Sequence, residues 1–87
     1  MATEEQITER GWTKMASDVL VGKTIKSVEY LSISEMEHAL WYNRPLVITF
    51  NDGSILIPQT DDEGNDGGAL YYYDTKGNVN QTIPVLW

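Results

Sequence analysis

Leu46-Val47-Ile48-Thr49-Phe50-Asn51-Asp52-Gly53-Ser54-Ile55-Leu56-Ile57 is the stretch that decides the fold class. Two runs rich in β-branched and aromatic residues flank Asn-Asp-Gly-Ser, whose side chains suit a turn. Asp52-Gly53 in that setting predicts a two-residue type I′ hairpin, because both central positions of such a turn need positive φ. The register that follows sets Phe50 against Ile55 and Ile48 against Ile57, sharing one face with Leu46. Val47, Thr49 and Leu56 take the other face, which is only partly polar and should be partly covered. Pro58 ends the second strand or puts its end at a sheet edge.

On the N-terminal side, Lys23–Leu31 is enriched in Thr, Ile, Val and Tyr and reads as another strand. Ile25 and Val28 are three apart, so its alternation is broken and a bulge is expected. Thr3-Glu4-Glu5-Gln6 fits a capping box. Trp12, Met15, Ala16 and Val19 then repeat at i, i+3, i+4 and i+7, an apolar helical stripe that Gly22 closes as a C-terminal cap. Gly11 costs about 1 kcal/mol inside a helix, which predicts a weakened helix or a frayed arm ahead of residues 12–20. Ser34-Glu35-Met36-Glu37 predicts a short second helix to about Leu40, and Pro45 ends the irregular stretch behind it. On the C-terminal side, Gln59–Gly68 is a polar loop, Ala69–Asp74 and Val79–Trp87 are strands, and Thr75-Lys76-Gly77-Asn78 turns between them. Pro84 marks the last strand as an edge.

These elements predict an α+β, mainly β domain over residues 1–87. A helical segment, 1–21, precedes a β-rich body, 22–87. One or two N-terminal helices should accompany a five-stranded antiparallel meander curled toward a small SH3-like barrel, since closure removes exposed edges. An open, bent sheet with a helix on one face is the alternative.

Eighty-seven residues suffice for one domain with a thin core, which makes oligomerisation a natural way to bury more surface. Thirteen acids against six Lys and Arg give a net charge of −7, the wrong sign for holding nucleic-acid phosphate. The charge is uneven: residues 1–30 carry four bases and five acids, residues 31–87 two bases and eight acids. The absence of cysteine excludes disulfides and thiolate chemistry, and a single histidine, His38, excludes a His-rich metal centre. His38, three residues after Glu35, reads as a surface residue in a local pair. No apolar run approaches the length of a membrane span, and the acidic N-terminus is unlike a targeting peptide; a cytoplasmic location is expected.

The most unusual segment is Asp61-Asp62-Glu63-Gly64-Asn65-Asp66-Gly67-Gly68. It reads as a solvated turn with Asn and Asp capping the backbone, as a loop for a partner or ligand, or as a hard-cation site. The last fails the EF-hand pattern: counted from Asp62, the third position is Gly64 and the twelfth Tyr73. Adjacent carboxylates invite general acid–base catalysis, but no nucleophile, metal or oxyanion hole accompanies them; no enzyme and no cofactor are expected. Tyr71, Tyr72 and Tyr73 are consecutive on a strand, so one side should enter the core and leave one or two phenols outside. With Trp41, Tyr42 and Trp87 they would form an aromatic patch of the kind that anchors interfaces, or simply fill the core.

The run from Gly22 to Leu70 resembles a family of small bacterial and phage proteins with no established activity. The matching residues are Gly22-Lys23-Thr24-Ile25, Val28-Glu29-Tyr30, Glu35 to Trp41, Arg44-Pro45-Leu46-Val47, Asp52-Gly53-Ser54, Pro58, Asp62-Glu63-Gly64-Asn65 and Gly68-Ala69-Leu70. The resemblance covers just over half of the chain, with Asp66-Gly67 occupying the stretch before Gly68, and implies a shared fold only.

The leading expectation is a non-catalytic protein-interaction module that uses Trp41, Tyr42, Asp61, Asp62, Glu63, Asn65, Asp66, Tyr71 and Tyr73, acting as a homodimer completed through an edge strand. Its partner is an unidentified protein or a small ligand; direct contact with nucleic acid or membrane is not expected. A second expectation is a phage-type protein that sequesters a small nucleotide, with Arg44 and loop amides on phosphate. A third is an acidic decoy for a nucleic-acid-binding site.

Overall fold

The computed structural model describes residues 3–87, with the side chains of 79 and 80 outside the description. The elements in chain order are α1 (Glu4–Leu20), β1 (Ile25–Tyr30), α2 (Ile33–His38), β2 (Leu46–Phe50), β3 (Ile55–Leu56), β4 (Leu70–Tyr73) and β5 (Val79–Ile83). The α+β class expected from the sequence is what forms. The strands, however, make a three-stranded antiparallel sheet, β1-β2-β3, and a separate two-stranded one, β4-β5. The expected five-stranded meander and SH3-like barrel are therefore corrected. β3 is two residues long and does not pair with β4, so the sheet cannot close.

α1 starts as its sequence dictates. The Thr3 hydroxyl accepts the Gln6 N–H, and the Gln6 side chain accepts the Thr3 N–H. The helix then runs 17 residues without a break at Gly11. Every residue of α1, Gly11 included, is exposed. α2 begins two residues earlier than expected, because Ser32, not Ser34, caps it and exchanges hydrogen bonds with Glu35. Its C-terminus is a Schellman turn: Trp41 N–H donates to Met36 O, Leu40 N–H donates to Glu37 O, and Leu40 has φ +61°.

The hairpin forms with a different turn. Phe50 N–H donates to Ser54 O, Gly53 N–H donates to Phe50 O, and Gly53 alone of the turn residues has positive φ, +87°. This is a three-residue connection ending on a left-handed glycine. The Asp52 carboxylate favours it by accepting the Ser54 N–H at 2.9 Å and bonding Lys23 and the Ser54 hydroxyl. The extra residue shifts the register by one, pairing Ile48 with Leu56 and Thr49 with Ile55. Leu56 thus joins the Ile48 face, and Ile55 leaves it. The expected β1 bulge is present between Ile25 and Ser27.

The two sheets meet where Arg44 and Leu86 exchange main-chain hydrogen bonds of 2.6 and 2.9 Å, while Tyr30 donates to Pro84 O at 2.8 Å. The core is small: among the described residues, Leu31, Phe50 and Pro45 are the buried large ones. Tyr71, Tyr72 and Tyr73 are each more than half exposed. Neither side of the β4-β5 ribbon is covered there, which corrects the expectation that one side enters a core. Among the described residues no helix is long and apolar enough to cross a membrane.

Candidate functional site

The Schellman turn at the end of α2 aims Trp41 at the acidic loop, and its indole Nε1–H donates to Gly64 O at 2.7 Å. The next two residues are gripped by Asp66. Its Oδ1 accepts the N–H groups of Tyr42 (3.1 Å), Asn43 (3.0 Å) and Gly67 (2.8 Å), and its Oδ2 accepts the Asn43 side-chain amide at 2.9 Å. All four partners are donors, so only an ionised carboxylate satisfies the arrangement fully. Partial burial works to raise the Asp66 pKa, but the donors from Asn43, Gly67 and Tyr42 outweigh it and hold the carboxyl below its usual range.

Asp61 organises the other half of the loop. It accepts the Asn65 side-chain amide at 2.8 Å and the N–H groups of Asn65 (3.3 Å) and Glu63 (3.0 Å). Its pKa is lowered chiefly by the Asn65 side chain, then by the Asn65 N–H. Main-chain bonds from Thr60 to Asp66 and from Gly68 to Pro58 close the loop base. Gly67 is required there: a Cβ would lie 2.5 Å from Pro45 Cδ and 2.9 Å from Asn43 O. At Gly68 it would lie 2.9 Å from the Gln59 carbonyl.

The loop is therefore a rigid shelf, and its expected site residues fall into separate groups. Trp41, Asp61, Asn65 and Asp66 hold the shelf together. Asp62, Glu63 and Tyr42 are exposed, as Asp61 and Asn65 also are; Asp62 makes no hydrogen bond among the described residues, the Glu63 carboxylate accepts the Asn65 amide at 3.5 Å, and Tyr42 is 82% exposed. Tyr71 and Tyr73 stand on β4, with no hydrogen bond to the shelf among the described residues. Arg44 is directed elsewhere: its Nη1 donates to Leu31 O at 3.3 Å, its Nη2 reaches Trp87 O at 3.5 Å, and its buried Nε has no partner among the described residues. His38 bonds the Ser34 carbonyl of its own helix. Asn43 and Gln59 are not among the residues the sequence marks for the site, and Gly67 enters there only as part of the loop. The Gly67-Gly68 pair behind Asp66 was the available signal, since paired glycines often mark close backbone approach.

A cavity of about 190 Å³ lies away from the shelf, between the α1–β1 connection and the hairpin, lined by Gly22, Lys23, Thr24, Phe50, Asn51 and Asp52. That is below the roughly 300–1,000 Å³ of small-molecule sites. No family model, no curated protein and no solved structure matches this chain.

Proposed function

We propose that the chain is a non-catalytic protein-interaction module whose contact face is the rigid acidic shelf. The observation that carries the reading is the Asp66 clamp, which fixes the loop to residues 41–43 before any partner arrives. Preorganisation of this kind removes ordering cost from binding. The fixed shelf offers one large exposed aromatic, Tyr42, and the exposed carboxylates of Asp62 and Glu63, the latter accepting the Asn65 side-chain amide at 3.5 Å, a combination suited to a basic protein surface with an aromatic-sized recess. The resemblance to small bacterial and phage proteins brings no activity with it, so the reading stands on this geometry. Nucleotide capture draws less support, because Arg44 is turned toward main-chain oxygens and away from the loop.

Immobilised full-length chain and two variants, Tyr42→Ala and the Asp62→Ala/Glu63→Ala pair, test the reading by quantitative capture from cell extract. Proteins held by the wild type should fall by about tenfold or more on both variants, the effect of losing an interface anchor. The charge variant's loss should shrink as salt is raised. Identical captured sets on all three would refute the module.

A further inference from the structure

α1 exposes an apolar stripe with no extensive packing against it among the described residues: Trp12 is 63% exposed, Val19 51%, and Met15 and Leu20 also stand open. None of its residues is buried, and it has no extensive contact with any strand. The three-stranded sheet has the matching deficit. Val28, Ile48 and Leu56 are directly opposed across β1, β2 and β3, so they form one apolar row on one face. Val28 is 53% and Leu56 40% exposed.

The area left open is that of a missing interface. The chain exposes 7027 Å², against about 5,200 Å² for a folded monomer of this mass. The excess, about 1,800 Å² per chain, amounts to about 3,600 Å² for two, within the range of obligate homodimers. The radius of gyration tells the same story, 15.4 Å where about 12 Å is normal for this length. The stripe from Trp12 to Leu20 is about 12 Å long, comparable to the roughly 10 Å that separates the outer strands of a three-stranded sheet.

We infer that α1 of one copy lies across the Val28–Ile48–Leu56 row of a second copy, which returns its own α1, making a reciprocal homodimer. Residues 21–24 hold α1 away from its own sheet. Val21 N–H donates to Ser17 O, Lys23 N–H donates to Leu20 O, Gly22 has φ +84°, and Lys23 is ion-paired to Asp52 on the hairpin. Charge favours the helix side of this contact: residues 1–30, which hold α1 and β1, carry only −1 of the total −7, so α1 meets an acidic second copy with little repulsion. The exchange covers helix and sheet in both copies at once and needs no strand edge. It uses surfaces apart from the acidic shelf, so it stands independently of the reading above.

Sedimentation of the full chain should give a species of twice 9.8 kDa. Trp12→Glu and Val28→Glu should each raise the dimer dissociation constant about 30-fold or more, as loss of a central anchor does. Lys14→Glu, on the opposite side of α1, should leave the dimer intact. Circular dichroism of each variant in its monomeric fraction confirms that the strands persist. Because the chain has no cysteine, a Met15→Cys/Leu56→Cys double variant treated with a short bis-maleimide should become a covalent dimer. A monomeric wild type, a dimer indifferent to Trp12→Glu and Val28→Glu, a cross-link confined within one chain, or capture of Met15→Cys only by itself would each overturn the inference.

Discussion

Leu40 is a leucine in a glycine's position. Its φ of +61° and 83% exposure mean that it carries the left-handed conformation without burying its side chain in return. A left-handed non-glycine residue costs roughly 1–2 kcal/mol, part of which glycine gives back as unfolded-state entropy. Leu40→Gly should therefore stabilise the chain by about 0.5–1 kcal/mol, read as a higher urea midpoint with an unchanged slope. Asp61 and Asp66 make the complementary case, side chains in which charge is structural. Their folded pKa values lie below those of the unfolded chain, near 3.9. Their contribution is thus complete above about pH 4 and is lost as pH falls through the folded values. The urea midpoint should hold steady from neutrality to about pH 4 and drop below it. Asp66→Asn should lower the midpoint already at neutral pH, since its NH₂ would face a donor, and flatten the acid slope; an unchanged acid slope in that variant would remove Asp66 from this role.

At the scale of elements, what was legible in the sequence was whatever depended on near neighbours. The α1 capping box, the β1 bulge and the existence of a hairpin were all readable, because each is set within about four residues. The hairpin's register was not. Asp52-Gly53 is compatible with two turns, and the choice was made by Lys23, 29 residues away, together with Ser54 bonding Asp52. The acidic loop shows the same division. Its composition flagged it, but the roles of its residues depend on Trp41 and Asn43, more than 20 residues upstream. Gly53 fixes the turn through its positive φ, so Gly53→Ala should cost about 1 kcal/mol. That loss should appear as faster amide exchange at Ser54 and Phe50. An alanine variant with unaltered stability would mean that the turn relaxes to a form with no positive φ at residue 53.

For the whole molecule, the missing barrel and the missing core have one cause. A two-residue β3 cannot recruit β4, so the apolar residues of the strands are left with too little to cover them. The sequence hinted at this in its thin core, yet periodicity within single elements cannot show whether sheets close. If two copies complete the core, unfolding is coupled to dissociation. The thermal midpoint should then climb with protein concentration, and it should be independent of concentration in Trp12→Glu. A wild-type midpoint that does not move over a hundredfold dilution would mean that each chain is stable alone.

The meeting of Arg44 with Leu86 makes the last residues of the chain a clasp. Residues 42 positions apart close on one another through a reciprocal pair of main-chain bonds, reinforced by Tyr30 on Pro84 and by Arg44 on Trp87. Closing a loop of that span has an entropic cost that nearer pairings avoid, so the clasp should form after the hairpin and open before it. The amides of Arg44 and Leu86 would then exchange with solvent as one unit while β1 and β2 stay protected. Such an opening frees the β4-β5 ribbon to swing while leaving β1 and β2 paired, which makes the clasp the latch of the ribbon.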